Sequence, residues 1–558
     1  MSALIRDAPI GQIIRLVTRN RILQYPEEVE GWRCPHSYKN ESPPSESTEP
    51  LPDIEKEALP LPSEPTIEEG KVLEEVEEAP REDVETSPEK PVEPAEEAEI
   101  ERYTTSSSSS EVETQGKELH EIPTAASAVH PHLEAIKTAR TTTGLEKVGT
   151  RSALHQSHTQ ADLEQQFTLA AQPPAPSAPI IPAELEDGTI LVDWYSTDDP
   201  DNPQNWSLGK KLAVTAQICA YTMAVYMGSA IYAPSEVGIM RQFGVNSQLA
   251  SMGLSMYVLA YGMGPMLFSP LSEMPVIGRN PPYMITYFLF VILLVPTALA
   301  HNFAGFVVLR FLLGFFGSPC LATGGASLQD MFSIIKMPYV MSTWALAATC
   351  GPALGPIISG FSVTAENWRW SQWELLWLAG PVYLVMFFFL PETSPSNILL
   401  RRAQRLRKLT GNQNLKSQSE IDQANIKFTD LVTENLLRPN QMMIQDPAIG
   451  FTAIYTALVY GIYYSFFEAF PLVYIDMYGF NLGVMGLCFL SITVGVIIAI
   501  AIYWAYNYIK VEPEIRAYGL GPPERRLIPA LVASFLCPIG LFIFGSYFTP
   551  SSRTLSAR

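Results

Sequence analysis

The chain has 558 residues, of which 47% are hydrophobic and 17% charged, and its formal net charge is −20. Residues 1–206 hold 16 basic and 41 acidic residues, whereas residues 207–558 hold 21 basic and 16 acidic residues. Two such different halves exclude a single soluble globular domain. The acidic excess also argues against nucleic acid as a partner, because it repels phosphate.

Residues 1–206 are predicted to form an acidic, cytosolic and mostly disordered tail. The stretch 40–190 is rich in Glu, Pro, Ser and Thr, a composition that buries too little apolar surface to offset chain entropy. The serine run 106–110 precedes two glutamates, so this part is either a solvated linker or a regulatory segment for acid-directed kinases. Near 8–22, apolar residues at helical spacing among arginines predict a short amphipathic helix that lies on a membrane or docks on the protein itself.

Nine apolar stretches of membrane-spanning length follow the tail. Six of them form a predicted bundle over 207–391, a basic cytosolic loop occupies 392–446, and three more spans lie in 447–558. Sixteen basic residues fall on the side of the tail and four on the other side, which predicts a cytosolic N-terminus. The spans lie near 212–233, 248–269, 283–301, 303–324, 338–361, 373–391, 447–474, 483–506 and 527–548.

Two ionisable residues stand at membrane depth, where charge is costly and is usually retained for function. Arg310 lies within the fourth predicted span and Glu468 within the seventh. We interpret both as candidates for proton coupling. The alternatives are that Arg310 extends to the headgroups and that Glu468 reaches water at the outer leaflet.

Small residues and prolines recur inside two spans. In the fifth span, Gly351, Gly355 and Ser359 fall on one helix face, where small side chains let helices approach closely. Gly314 and Gly317 provide a similar surface in the fourth span. Tight helix packing explains both patterns, and a packing surface that also moves during function is the further hypothesis.

These motifs resemble the fungal drug:proton antiporters of the major facilitator superfamily, of the twelve-spanner type and the azole, benomyl and methotrexate resistance branch. The resemblance covers nearly all of 193–548 and the opening of the tail. Single motifs are weak signals, whereas many in the family's order with a fitting topology are strong. The matching segments include 198–206, 226–234, 262–279, 310–327, 351–360, 367–370, 390–393, 402–407 and 540–544.

The resemblance implies an all-α polytopic membrane protein with two helical bundles and an efflux mechanism in which the bundles rock about a central site. Arg310 and Glu468 then couple transport to protons. The residues expected to support the conformational change are Gly262, Pro265, Pro270, Glu273, Gly278, Arg279, Gly314, Gly317, Gly351, Pro352, Gly355, Pro356 and Gly360. The candidates for the substrate cavity, unless they only pack or face lipid, are Tyr226, Tyr232, Phe315, Tyr460, Tyr463, Tyr464 and Phe467.

Two departures from the family pattern leave an alternative open. Arg279 is followed by Asn280, where the family usually has a second basic residue. Only nine of the twelve expected spans are found, and residues 549–558 resemble unrelated sequence. We therefore expect an incomplete second bundle of three helices. The alternative function is a truncated, non-transporting or regulatory membrane protein.

Motifs of other protein classes are missing from the sequence. There is no GxSxG, HExxH or phosphate-binding glycine loop, which argues against an enzyme and against ATP-driven export. No cysteine spacing resembles a metal site, so we predict neither cofactor nor metal. The expected partners are small-molecule drugs, protons and the lipid bilayer, and the expected location is the plasma membrane.

Overall fold

Helices make up most of the described part of the computed structural model of this chain. The predicted disordered stretch, including the serine run, lies almost wholly outside the residues that the structure describes, and so do residues 549–558. The described residues are 2–29, 31–32, 38, 177, 179–185, 187–423, 437, 441–518 and 528–547.

The helices follow the apolar stretches of the sequence, with short polar helices between them. Two π-helical turns, Pro471–Met477 and Asn507–Val511, continue the helices that end at Phe470 and Tyr506. In chain order the helices are α1 (Ser2–Asp7), α2 (Pro9–Val17), α3 (Leu208–Ala230), α4 (Glu236–Phe243), α5 (Ser247–Ala250), α6 (Met252–Glu273), α7 (Asn280–Ala298), α8 (Phe303–Gly317), α9 (Pro319–Met331), α10 (Met337–Ala365), α11 (Trp370–Phe389), α12 (Pro395–Thr410), α13 (Gln418–Gln423), α14 (Pro447–Phe470), α15 (Leu482–Cys488), α16 (Leu490–Tyr506), α17 (Glu512–Tyr518), α18 (Ile528–Ser534) and α19 (Leu536–Tyr547).

Each of the nine predicted spans coincides with one of these helices or with two in succession. Within the described part of the chain, eight segments are long and apolar enough to cross a membrane. The second predicted span coincides with α6, which has 22 residues but is less apolar than the other eight. Its glycines, serines and two internal prolines account for this difference.

Helix α10 connects the first six spans with the later helices. It packs along α3 on one side and along α15 and α16 on the other. A first apolar core lies within the first six spans and includes Tyr221, Tyr287 and Phe290. A second core combines Phe306 and other residues of the first six spans with residues of α14 and α15, so both groups of helices share buried surface.

Two regions predicted to be irregular are partly ordered. Residues 190–191 (β1) pair in parallel with residues 415–416 (β2), which joins the tail to the central loop. Tyr38 packs into the same place, beside Leu406 of α12. Residues 179–185 and 187–206 are thus an ordered part of a tail predicted to be mostly disordered, because they gain partners that lie far away in the sequence.

The amphipathic helix predicted near 8–22 is shorter than expected. It is α2, and α1 precedes it. Gly11 lies against the backbone of Ile5, so the two helices cross closely. Arg15 is buried on the docked side of α2, whereas Leu16 and Val17 are exposed. The helix thus docks on the protein and keeps an apolar edge on the outside.

Candidate functional site

Arg310 on α8 is completely buried, and backbone carbonyls surround its guanidinium. Nε donates to the carbonyl of Gly253 on α6 at 2.9 Å, and Nη1 donates to the carbonyl of Gly228 on α3 at 2.8 Å. A longer bond of 3.4 Å joins Nη2 to the carbonyl of Ser229. No carboxylate pairs with Arg310 among the described residues. The cation is therefore stabilised by carbonyls near the end of α3, where the helix dipole is negative.

Two aromatic rings complete the surroundings of Arg310. Its guanidinium carbon lies 4.9 Å from the ring centre of Tyr232 and 4.6 Å from that of Tyr257. In a desolvated site each such contact contributes up to about 2 kcal/mol. The alternative that Arg310 extends to the headgroups is wrong, because its exposed fraction is 0%. Arg310 places a fixed positive charge inside the first six spans.

Glu468 on α14 lies next to a second glutamate that the sequence analysis missed. Its carboxyl lies close to that of Glu236, the first residue of α4, and both lie near the hydroxyl of Ser251. Both glutamates are half-buried. One carboxylate oxygen of Glu236 is buried without a hydrogen-bond partner among the described residues. The structure thus brings two carboxyl groups from different groups of helices together.

Tyr232 lies near both the buried cation and the two acids. Its ring contacts the guanidinium of Arg310, and it is also close to the carboxyls of Glu236 and Glu468. The sequence offered a weak signal for Glu236, since it follows a proline just beyond the predicted end of the first span. That position suggested a loop residue, whereas the folded chain turns it toward α14.

Four of the predicted cavity aromatics meet between α3, α6, α10 and α14. The hydroxyl of Tyr464 lies 3.1 Å from that of Ser229 and 3.0 Å from that of Tyr261. The ring of Tyr226 lies 5.6 Å from that of Tyr261. Tyr463 donates to a carbonyl of α10 at 3.3 Å. Tyr460 lies near Tyr226 and is 43% exposed. We call Tyr226, Tyr261, Tyr460, Tyr463 and Tyr464 the tyrosine cluster.

Three other predicted cavity residues do not join the tyrosine cluster. Tyr232 is fully buried and donates to the carbonyl of Ala250 at 2.6 Å. Phe467 stacks on Phe489 with 5.0 Å between ring centres. Phe315 contacts Phe268 at 5.2 Å. The structure gives these three side chains packing contacts within the protein.

The glycines of the fifth span lie where α10 touches its neighbours most closely. A methyl group at Gly351 would lie 2.7 Å from the carbonyl oxygen of Met223 on α3, and one at Gly355 would lie 2.8 Å from the nitrogen of Ile231. Gly360 approaches α15 in the same way. Pro352 and Pro356 lie inside the same helix. The small residues therefore form the surfaces by which α10 contacts both groups of helices.

A second set of close approaches joins α8 to α6 and α3. Gly314 lies against the backbone of Tyr257, and Gly317 lies against the side chain of Val225. On α6, which contains Pro265 and Pro270, no atom lies within 4 Å of a methyl group placed on Gly262. Gly264, two residues further on, contacts Ser318 instead. Close packing at this part of α6 thus involves Gly264 and not Gly262.

The loop between α6 and α7 is held by charged groups. Gly278 has a φ of +81°, a conformation that other residues rarely adopt. Arg279 forms an ion pair with Asp330 at 3.0 Å. Burial by itself lowers the pKa of Arg279, but the negative charge of Asp330 more than offsets this and the pKa is raised. Glu273 is exposed and forms no ion pair with any described residue.

Glu392, directly after the sixth span, holds this loop in place. One carboxylate oxygen accepts the backbone N–H of Arg279 at 2.9 Å, and the other accepts that of Asn280 at 3.1 Å. The first oxygen also accepts the N–H groups of Thr393 and Ser394, each at 3.0 Å. A carboxylate at the N-terminus of α7 is favoured by the helix dipole. Residues 390–393 match a family segment, but the sequence alone did not predict this role for Glu392.

Comparison with known proteins identifies similar sequences. Residues 218–555 match the Major Facilitator Superfamily. The chain is 48% identical over 376 residues to the MFS-type transporter pyvG of Aspergillus violaceofuscus, covering 67% of this chain and 68% of that protein. It is 42% identical over 360 residues to the cycloheximide resistance protein of Candida maltosa, covering 64% and 65%. It is 40% identical over 354 residues to fluconazole resistance protein 1 of Saccharomyces cerevisiae, covering 63% and 64%. The chain thus spans about two thirds of the length of these relatives.

Proposed function

The chain belongs to the major facilitator superfamily, and we propose that it is a proton-coupled antiporter that exports small hydrophobic or cationic xenobiotics. Membership of this family makes it a membrane transporter and not an enzyme. Two of the relatives are named for resistance to cycloheximide and fluconazole, which supports export of drug-like molecules. These relatives do not favour the alternative of a regulatory or non-transporting membrane protein.

The tyrosine cluster is the proposed drug site. It joins α3, α6 and α10 to α14, so a molecule bound there would contact both groups of helices. Tyr226 and Tyr261 pack their rings against each other, and aromatic rings attract flat and cationic molecules. The hydroxyls of Tyr261 and Tyr464 add hydrogen-bonding groups without adding charge. This combination suits hydrophobic or weakly basic drugs of different shapes.

Glu236 and Glu468 are the proposed proton site, and their proximity is the observation that carries the coupling proposal. Two carboxylates in direct contact repel each other, so the pair is expected to hold one proton between them. Separation of α4 from α14 would remove this repulsion and release the proton.

Movement between the two groups of helices is proposed to occur along α10. At Gly351 and Gly355 on one side and at Gly360 on the other, α10 approaches the backbones of α3 and α15 closely, with no side chain of its own in between at these three positions. Such surfaces can slide or tilt at small cost. The motion would expose the tyrosine cluster alternately to the two sides of the membrane.

We further propose a plasma-membrane location with the N-terminus in the cytosol. The distribution of basic residues supports this orientation. The parallel pairing of β1 with β2 agrees with it, because the tail and the central loop must then lie on the same side of the membrane. Phosphorylation of the acidic, serine-rich tail by kinases remains a prediction from composition.

Drug accumulation in yeast that lacks its own drug pumps tests the proposed function. Cells expressing the chain should accumulate less of a fluorescent drug than cells with an empty vector, and a protonophore should abolish the difference. Surface expression is measured with an epitope tag. Equal accumulation at good surface expression would contradict the proposal and support the non-transporting alternative.

A further inference from the structure

A groove of about 390 Å³ opens between α7 and α11 where the N-terminal segment covers them. It lies outside the tyrosine cluster and shares no residue with it. Its volume falls in the range of small-ligand sites, about 300–1,000 Å³. Helix α2 closes one end of the groove with Gln12 and Ile13. The groove is therefore a separate candidate binding site.

The long walls of the groove are apolar. Ile285, Phe288 and Leu289 of α7 face Tyr383 and Phe387 of α11. The rings of Phe288 and Tyr383 lie 5.6 Å apart. Ile285 is 62% exposed and Phe288 is 46% exposed. Both helices are candidate membrane spans, so these walls face the hydrocarbon part of the bilayer and suit an alkyl chain.

One end of the groove is polar and contains three charged residues, Asp7, Glu392 and Arg401. Asp7 is engaged by the guanidinium of Arg6, with hydrogen bonds of 2.8 and 3.2 Å. The carboxylate of Glu392 accepts four backbone N–H groups. Arg401 forms neither a hydrogen bond nor an ion pair with any residue that the structure describes. The charge that remains available at this end is therefore positive.

The outer edge of α2 sets the depth of this polar end in the membrane. Leu16 is 79% and Val17 is 75% exposed, and the exposed Arg19 and Arg21 follow directly. Apolar residues beside arginines are typical of a helix that lies among the lipid headgroups. Arg401 then stands near headgroup depth, with the apolar walls running from it toward the bilayer centre.

We propose that this groove binds one glycerophospholipid of the adjoining leaflet. The phosphate is held by the guanidinium of Arg401, which matches phosphate oxygens through two parallel N–H bonds. One acyl chain lies between α7 and α11. Charge decides between this occupant and a transported drug, because an unpaired guanidinium repels the cationic drugs expected at the tyrosine cluster. This inference depends on membrane insertion and not on the proposed drug export.

Native mass spectrometry of the purified full-length chain tests the proposal. Delipidated protein is titrated with phosphatidylcholine, with phosphatidylserine, and with a diacylglycerol of the same acyl chains. The two phospholipids share the phosphate, and the diacylglycerol lacks it. We expect one tightly bound phospholipid per chain and at least about tenfold weaker binding of diacylglycerol, the effect of losing one charge-assisted interaction.

Arg401→Gln should weaken phospholipid binding about tenfold and should leave diacylglycerol binding unchanged. Lys408→Gln is the matched control, because it removes the same charge from an exposed position further along α12. Leu289→Trp fills the groove without changing charge and should also reduce binding. Equal phospholipid affinity in the unsubstituted chain and in Arg401→Gln, with both eluting as folded protein, would overturn the proposal. Equal binding of phospholipid and diacylglycerol would overturn it as well.

Discussion

Arg402 holds Asp199 through two hydrogen bonds of 2.7 and 3.2 Å, which join the helix after the sixth span to the segment before the first span. The same guanidinium contacts Asp201 at 3.0 Å and Glu27 at 3.5 Å. Its exposed fraction is 1%. One buried arginine thus connects three acidic residues from two parts of the N-terminal tail.

Arg402→Ala is expected to release the N-terminal segment from α12. Removing one partner of a buried ion pair costs about 3–5 kcal/mol, because the remaining charges stay buried without compensation. Limited trypsin digestion should therefore cut at Arg19 and Arg21 much faster in this variant than in the unsubstituted chain. The exposed Lys408 on the same helix provides the control Lys408→Ala. Equal cutting rates in the two variants would show that Arg402 does not hold the segment.

Acid is expected to weaken the same docking. Burial raises the pKa of Asp199, but its hydrogen bonds with Arg402 outweigh this and the pKa is lowered. The pKa of Glu28 is lowered in the same way by Arg15. Both carboxyls bind protons less readily when docked, so docking is stable above the ordinary carboxyl pKa of about 4 and is lost as the pH falls below it.

Hydrogen exchange of residues 190–206 between about pH 6 and about pH 3 measures this effect, after correction for the intrinsic exchange rate. Asp199→Asn should dock more weakly at neutral pH and should respond less to acid. Protection of the unsubstituted chain that stays constant through this range would contradict the assignment.

Arg310→Ala is expected to abolish proton-coupled efflux while surface expression is largely retained. The substitution removes the buried cation and leaves three carbonyls without this donor. Arg310→Lys should retain only part of the efflux, because a single ammonium group lacks the planar guanidinium geometry that reaches several carbonyls. Arg369→Ala is the control, since Arg369 also donates to backbone carbonyls, those of Ala298 and Ala300. Normal efflux by Arg310→Ala would show that Arg310 contributes to packing and not to proton coupling.

Glu236→Gln and Glu468→Gln are each expected to uncouple transport from the proton gradient. If the two carboxyls share one proton, then either substitution removes the site, and the double variant should be no worse than the single ones. Drug efflux from proteoliposomes with and without a pH gradient measures this coupling. Glu374→Gln provides a control at another half-buried glutamate within a span. Additive losses in the double variant would show that the two residues act independently.

Gly351→Ala is expected to lower both stability and transport. Its methyl group would lie 2.7 Å from the carbonyl oxygen of Met223, so α10 and α3 must move apart, at about 1–3 kcal/mol. Gly380→Ala on α11 is the matched control, because no atom lies within 4 Å of its added methyl group. Thermal unfolding in detergent and drug efflux are measured together. Equal melting temperatures for both variants would contradict close packing at Gly351.

Much of the helical architecture could be predicted from the sequence, because a membrane span requires a local run of apolar residues. Arg310 and Glu468 were recognisable for the related reason that a charge is unusual in such a run. The fifth-span glycines were visible through their spacing of four residues. Each of these signals lies within one helix, and the comparisons confirm the family that the motifs indicated.

Other features could not be predicted because they join residues that lie far apart in the chain. Glu236 gains importance only when α14 brings Glu468 beside it. Tyr261 gains importance only through the hydroxyl of Tyr464. Gly262 and Gly264 are equally small in the sequence, and only the position of Ser318 distinguishes them.

The sequence by itself determined the helices, the membrane class and the family, because apolar length and local motifs carry that information. Only the tertiary structure decided which charges meet, which aromatic rings form the cluster and where the N-terminal segment docks. The physical reason is that a hydrogen bond or an ion pair depends on distances of a few ångströms. Those distances arise from helix packing and leave no pattern within a single stretch of sequence.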